Sequence, residues 1–267
     1  MAGPLSGRVA VISGGSRGIG RGVAESLLRR GAAVVICARS EDEVTRASDE
    51  LCALGPARGL RCDVTRAPEV REAVASAVEA FGRLDIAICC QGIYGNAYSV
   101  LDYPEREWDE VVAINLKGSF LLGKAAGRAM VECGTDAGRI VLVSSVDALT
   151  AEPNCIAYNA SKAAIHGLAR GMAVDLAPHG ITCNAIAPGW VATAMTAGSL
   201  PKAVLERQEP FELTVTGRIG VPADIGEAAA WIVDPGSSYV TGSIFVIDGG
   251  QTAAAAMPSN YKSATSA

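Results

Sequence analysis

The sequence predicts an α/β fold, a single doubly wound parallel sheet of about seven strands with helices on both faces. Three observations predict it. Short β-branched runs alternate with longer helical patterns along the chain, and such alternation builds right-handed strand–helix–strand crossovers. Several of the short runs are apolar at nearly every position, as strands covered on both faces must be. A glycine-rich turn, Ser13-Gly14-Gly15-Ser16-Arg17-Gly18-Ile19-Gly20, follows the first run and opens the first helical pattern.

In chain order, residues 9–13 read as the first strand, and the glycine turn hands the chain to a helix over 19–30. A second strand over 34–37 precedes a helix over 41–54. Ser40 with Glu43 makes a capping-box pattern at that helix start, satisfying amide donors of the first turn. A third strand over 59–62 leads to a helix over 68–81, and a fourth over 84–90 to one long helix over 105–133. The fifth and sixth strands, 139–144 and 182–187, flank a helix over 157–177. A helix over 223–233 and a strand over 243–247 complete the sheet. No repeat or linker interrupts this order, so residues 1–251 are expected to form one domain. Residues 252–267, low in complexity, are expected to be a C-terminal tail without legible chemistry.

Composition narrows the function. At 267 residues and 49% hydrophobic, the chain can bury a full core without staples. A net charge of −5, with both signs interspersed, argues against nucleic acid or an anionic membrane as partner. No apolar run approaches membrane-spanning length and the first residues lack the apolar core of a signal peptide, so a cytoplasmic protein is expected. The eight cysteines contain no CxxC pair, and His166 and His179 are the only histidines, so reduced thiols and no metal site are expected. Cys155, three residues before Tyr158, is a candidate to line a pocket. His166 is expected to pack in the core or at an interface.

The chemistry gathers where strands end. Gly14, Gly18 and Gly20 allow a tight turn, close approach of a pyrophosphate and close helix–sheet packing, while the helix N-terminus offers amide donors to phosphate. At the end of the second strand, Ala38-Arg39 stands where an acidic residue would hold a ribose 2′-hydroxyl. Arg17 and Arg39 together suit a 2′-phosphate instead. Asp63, Gly92, Ser145 and Pro188-Gly189 each follow a strand, at the carboxyl edge where doubly wound sheets bind ligands. Tyr158 and Lys162 stand four residues apart on a predicted helix, hence on one face. A cation beside a phenol in a desolvated cleft is expected to lower the phenol's pKa from ~10 toward neutrality. The spacing alone is commonplace; its company gives it weight.

Over roughly residues 7–250 the chain resembles the classical short-chain dehydrogenase/reductase family, whose fold is of Rossmann type. Ser13, Gly14, Gly18 and Gly20 match its glycine motif, with Ser for the usual Thr. Asn115, Ser145, Tyr158 and Lys162 match its Asn-Ser-Tyr-Lys tetrad, and Asp248-Gly249-Gly250 resembles its usual C-terminal end. The resemblance implies NADP as cofactor, given the arginines. Gly14, Ser16, Arg17, Gly18 and Ile19 would hold it from the glycine turn, Arg39, Asp63 and Val64 at the adenosine end, and Gly92 beside the ribose. Tyr158 and Lys162 would also touch it, with Pro188, Gly189, Val191 and Thr193 at the nicotinamide. Tyr158 would be the general acid/base, Ser145 the donor to the substrate oxygen, Lys162 the cation beside Tyr158, and Asn115 the holder of a relay water. One departure stands out: Cys89-Cys90-Gln91-Gly92 replaces the usual Asn-Asn-Ala-Gly, losing an asparagine that braces the cofactor floor.

The expected activity is hydride transfer between NADP(H) and a ketone/secondary alcohol, by a homotetramer acting on a small polar substrate. A 3-oxoacyl carrier-protein thioester reductase and a hydroxysteroid dehydrogenase are the enzymatic alternatives, and an NADP-binding sensor the non-enzymatic one. Asp147, Glu152 and Asn154, with Gln91 and Asn96, are candidates to bind polar groups of the substrate. The acidic turn 132–136 is expected to oppose docking of an acidic carrier protein. Met195 and residues 197–211 are expected to form a mobile lid.

Overall fold

The computed structural model describes residues 3–254, so nearly all of the expected tail lies outside the described residues. Seven parallel strands form one sheet in the order β3-β2-β1-β4-β5-β6-β7. They are β1 (Val9–Ser13), β2 (Ala33–Ala38), β3 (Ala57–Arg61), β4 (Ile86–Cys89), β5 (Arg139–Val143), β6 (Thr182–Pro188) and β7 (Ile244–Ile247). The strand order reverses between β1 and β4, which is where open sheets of this kind bind ligands.

Alternation along each strand divides the core in two. Val9 and Val11 of β1 pack on one face, against α3 (Ala67–Phe81), α5 (Gly118–Glu132) and α6 (Ile156–Leu176). Ala10 and Ile12 point to the other, against α1 (Gly18–Arg29), α2 (Glu41–Leu51) and α8 (Pro222–Ile232). Side chains of successive strand residues emerge on opposite faces, so an all-apolar strand feeds both cores at once. The α1–α8 contact is tight enough to require glycine: a Cβ on Gly226 would lie 2.5 Å from Gly22 O.

Element boundaries shift modestly from those expected. The third strand runs over Ala57–Arg61, paired to β2 from Val34↔Ala57 onward, because backbone pairing overrides the weak β character of Ala57 and Arg58. The fourth stops at Cys89, since Cys90 already bends toward the cleft. The single long helix expected over 105–133 is three pieces: α4 (Glu105–Val112), a π-helical turn at Ala113–Lys117, and α5. A short α7 (Lys202–Leu205) was not anticipated.

Candidate active site

The glycine turn leaves β1 and wraps the N-terminus of α1. Gly14 (φ +65°) and Gly18 (φ +54°) adopt left-handed backbone that a side chain would strain. A Cβ on Gly14 would also lie 2.9 Å from Gln91 N, so the turn sits directly against the end of β4. Ser16 is buried, Ile19 is half-buried and lines the cleft, and Arg17 is exposed. Arg17 reaches back to α2, 3.6 Å from Glu43 Oε1. Arg39 is exposed at the end of β2 and acts electrostatically on Asp63. Burial pushes the Asp63 carboxyl up, but hydrogen bonds from Thr65 N (2.9 Å) and Thr65 Oγ1 (2.7 Å), with Arg39, outweigh it and hold the pKa low. Val64 is buried against Gly118 of α5.

Ser145, Tyr158 and Lys162 converge on one cleft with Gly92, Pro188, Gly189, Val191 and Thr193. Lys162 donates from Nζ to Val143 O (2.9 Å), at the end of β5, and lies 5.5 Å from the centre of the Tyr158 ring. A Cβ on Gly92 would stand 3.4 Å from Lys162 Nζ and 3.5 Å from Asn115 Oδ1, so Gly92 sits directly against both side chains. Asn115, fully buried in the π turn, donates to Ile93 O (2.9 Å) and Ser161 Oγ (3.0 Å) and accepts from Ile93 N (2.9 Å). Thr193 packs above Gly18, 3.4 Å from the position of its missing Cβ, and thereby closes the cleft between the glycine turn and the segment after β6.

Electrostatics correct one expectation. The phenol of Tyr158 is pushed up, not down: burial is the main cause, Ser145 opposes it, and Asp147 and Glu152 add to it. Lys162 is itself buried, which lowers its pKa to about 8, with Cys90 and Asp147 pulling the other way. Tyr158 is therefore held as a proton donor at neutral pH, the form that protonates a carbonyl oxygen.

The altered stretch after β4 is braced by a different residue. Gln91 is buried, accepts a hydrogen bond from Ser13 Oγ at the end of β1, and donates to Ser119 Oγ (2.9 Å) and Ile114 O (3.4 Å). One side chain thus ties β1, the π turn and α5 together. Gln91 is then no substrate ligand. Asn96 bonds Glu107 on the surface (3.1 Å), and exposed Asn154 does not line the cleft; both expectations fail because their loops turn outward. Cys155 caps α6, buried beside Pro153 O (3.2 Å), and is not among the cleft residues. His166 is buried as expected. Ser144 Oγ gives its proton to Lys162 O (2.8 Å), so His166 Nε2 carries the proton it shares with Ser144 (3.0 Å).

Asp147 and Glu152 do line the cleft, joined by Tyr94, which the sequence reading missed. Tyr94 donates to Glu152 Oε2 (2.6 Å), and its ring lies 4.7 Å from that of Tyr158. Its place two residues after Gly92 was the available signal. Trp190 was missed too; it meets Phe211 edge-on at 6.2 Å, and Met195, Thr196 and Ser199 complete that wall. The expected lid segment therefore borders the cleft, and Phe211 belongs to a small core with Val204 and Ile219. The turn 132–136 lies before β5, at the opposite edge of the sheet from Ser145, where it cannot meet anything docking at the cleft mouth. No group of metal-ligating side chains occurs among the described residues.

The cleft fits a nicotinamide dinucleotide. Gly92 and Gly189 line it, Ile19 of the first turn of α1 borders it, and Gln251 Oε1, beside Gly189, is a buried acceptor without a partner among the described residues, as an amide donor would require.

Comparison with known proteins places the chain in a family. Residues 14–252 match a family profile described as enoyl-(acyl carrier protein) reductase. A short-chain reductase protein, NovJ, of Streptomyces niveus is 40% identical over 91% of this chain and 93% of its own length. A 3-alpha-(or 20-beta)-hydroxysteroid dehydrogenase of Mycobacterium tuberculosis is 35% identical, covering 95% and 92%. The crystal structure of a short-chain type dehydrogenase/reductase from Mycobacterium marinum superposes with a TM-score of 0.86 at 35% identity, covering 94% and 97%. The chain belongs to the short-chain dehydrogenase/reductase family. It is an oxidoreductase that acts on CH–OH groups and uses a nicotinamide cofactor.

Proposed function

We propose that the protein is an NADP(H)-dependent ketoreductase that interconverts a small polar ketone and its secondary alcohol in the cytoplasm. The convergence of Ser145, Tyr158 and Lys162 on a cleft beside the glycine turn carries this reading. The secondary-alcohol chemistry in the name of the hydroxysteroid relative supports the reaction type. Arg17 and Arg39, with Ala38 where a carboxylate would select NAD, support a 2′-phosphate. Free thiols at all eight cysteines suit a reducing compartment.

In this reading Gly14, Ser16, Gly18 and Ile19 hold the pyrophosphate, while Asp63 and Val64 border the adenine. Gly92, Tyr158 and Lys162 meet the nicotinamide ribose; Pro188, Gly189, Val191 and Thr193 hold the nicotinamide. When bound, the cofactor supplies or accepts the hydride. Tyr158 delivers its phenolic proton to the carbonyl oxygen, and Ser145 stabilises the negative charge developing there. Lys162 holds the ribose hydroxyls as a donor. Asn115, through Ile93 and Ser161, keeps the π turn and α6 in register behind Lys162.

The polar substrate follows from Asp147, Glu152 and Tyr94 on the cleft wall; among described residues lining it, Lys162 is the only cation. The test is NADPH oxidation with hydroxyacetone, dihydroxyacetone, cyclohexanone and an acetoacetyl thioester. Polar ketones should be turned over best, and Tyr158→Phe should lower turnover at least ~100-fold while NADPH still binds. Near-normal turnover in that variant contradicts the assignment, and thioester preference contradicts the substrate class.

A further inference from the structure

Ser145 has one proton to give, and the structure shows it already given. Ser145 Oγ donates to Asp147 Oδ2 (3.1 Å) and accepts from Asp147 N (3.1 Å). A serine hydroxyl offers one donor and two acceptor positions, so what remains for the cleft is a lone pair. A lone pair suits the O–H of an alcohol and cannot bond a carbonyl oxygen. Asp147 itself lines the cleft, and among the described residues no other side chain bonds its carboxylate.

From this geometry we propose that Asp147 is a positioning residue that competes with a ketone for the Ser145 proton, so that ketone reduction depends on whether Asp147 is ionised. The proposal rests on the tetrad reading above. With Asp147 ionised, the serine proton is held and the ketone loses a donor. With Asp147 neutral, the carboxyl group donates to Ser145 Oγ and the serine proton turns to the substrate oxygen. Asp147 takes no part in the proton balance of the reaction, because Tyr158 delivers the proton to the carbonyl in either state.

The surroundings bring this exchange toward the working range. Burial pushes the Asp147 carboxyl above its ordinary value against the pull of Ser145; Glu152 adds to the push and Lys162 opposes it. Tyr158 on α6 and Cys155 at its start are the other titratable groups that feel Asp147.

The experiment measures kcat/KM for NADPH-dependent reduction between about pH 5 and about pH 7.5, using whichever ketone of the panel above is turned over fastest. The wild-type value should rise toward acid by about three- to tenfold, the scale of one hydrogen bond. Asp147→Asn and Asp147→Ala should abolish that acid limb and give a flat profile, whatever its level; the isosteric Asn guards against loss of the turn. In a Ser145→Ala background the limb should be absent with or without Asp147. A flat wild-type profile, or a limb that survives in the Asp147 variants, overturns the proposal and leaves the tetrad reading standing. Failure of the wild type to reduce any panel ketone overturns both. A purely structural role would lower activity at every pH and leave the limb in place.

Discussion

Two exposed arginines and one buried lysine decide how the cofactor end of the cleft behaves. Arg17 and Arg39 are exposed, so in the proposed reading they would hold a 2′-phosphate by charge and bidentate geometry and not in a rigid socket. Glu43 competes for Arg17. Replacing Ala38 and Arg39 together by Asp should reverse a preference for NADP(H) into one for NAD(H), read as the ratio of kcat/KM; equal use of both by the parent protein would show that the arginines grip no phosphate. Lys162 sets the alkaline side. Its pKa of about 8 lies below the ordinary lysine value because burial disfavours its charge. As pH rises through that value the ammonium is lost while Tyr158, pushed up, keeps its proton. Reduction should therefore fall above about pH 8 although the acid is still loaded, and a rate unchanged to pH 10 would contradict this. The glycine turn and Ser145 were legible because they follow strands, and Tyr158 and Lys162 because they stand one turn apart on α6. The direction of the Tyr158 shift was not. It depends first on how deeply folding buries the phenol, and then on Asp147 and Glu152, brought beside it by the loop between β5 and α6.

Between the strands, one glutamine and one irregular turn tie together the elements behind the cleft. Gln91 replaces a missing asparagine from a neighbouring position, because its longer side chain reaches both Ser13 and Ser119. Gln91→Leu would remove the bonds to Ser13 and Ser119, leaving Ser13 only its long contact to Ile88 O (3.4 Å) and Ser119 its bond to Asn115 O (2.7 Å). It should destabilise the fold by about 2–3 kcal/mol, the scale of losing buried hydrogen bonds and leaving polar groups unpaired. Denaturant unfolding measures this; a loss under about 0.5 kcal/mol would show that the brace is dispensable. No single-sequence pattern announces such a substitution of function. The π turn at Ala113–Lys117 was hidden for a related reason. Its residues are ordinary helix formers, and only the packing of Asn115 against Ile93 and Ser161 reveals the extra residue in the turn.

At the scale of the molecule, the outer surface of α6 invites a second copy. A Cβ on Gly167 or Gly171 would meet nothing within 4 Å, and Val174, one turn on, is 74% exposed. On α5, Phe120 and Val131 are exposed as well. Two small residues one turn apart permit close helix pairing, so we propose a homotetramer of two-fold symmetry, as the family resemblance implies. Light scattering at micromolar concentration should give about four times the 27.3 kDa chain mass; a monomer would refute it. The parallel sheet, its strand number and its two-sided core were readable from alternation and apolar runs. The small core of Val204, Phe211 and Ile219 behind Trp190 was not, because a three-residue core leaves no periodic trace.

That small core has a consequence for how such an enzyme can change. Its segment leaves and rejoins the sheet domain almost at one point: Ala192 N bonds Gly220 O (2.9 Å) and Gly220 N bonds Trp190 O (3.0 Å), with Thr216 N on Gly249 O (3.0 Å) as a further anchor. A segment with adjoining ends and its own packing is a cassette. Doubling its length would add only about 0.6 kcal/mol of closure entropy, and nothing in the tetrad or the glycine turn would have to move. In the proposed reading, the part of this segment beyond Thr193 can be exchanged or enlarged as a unit while the chemistry stays where it is.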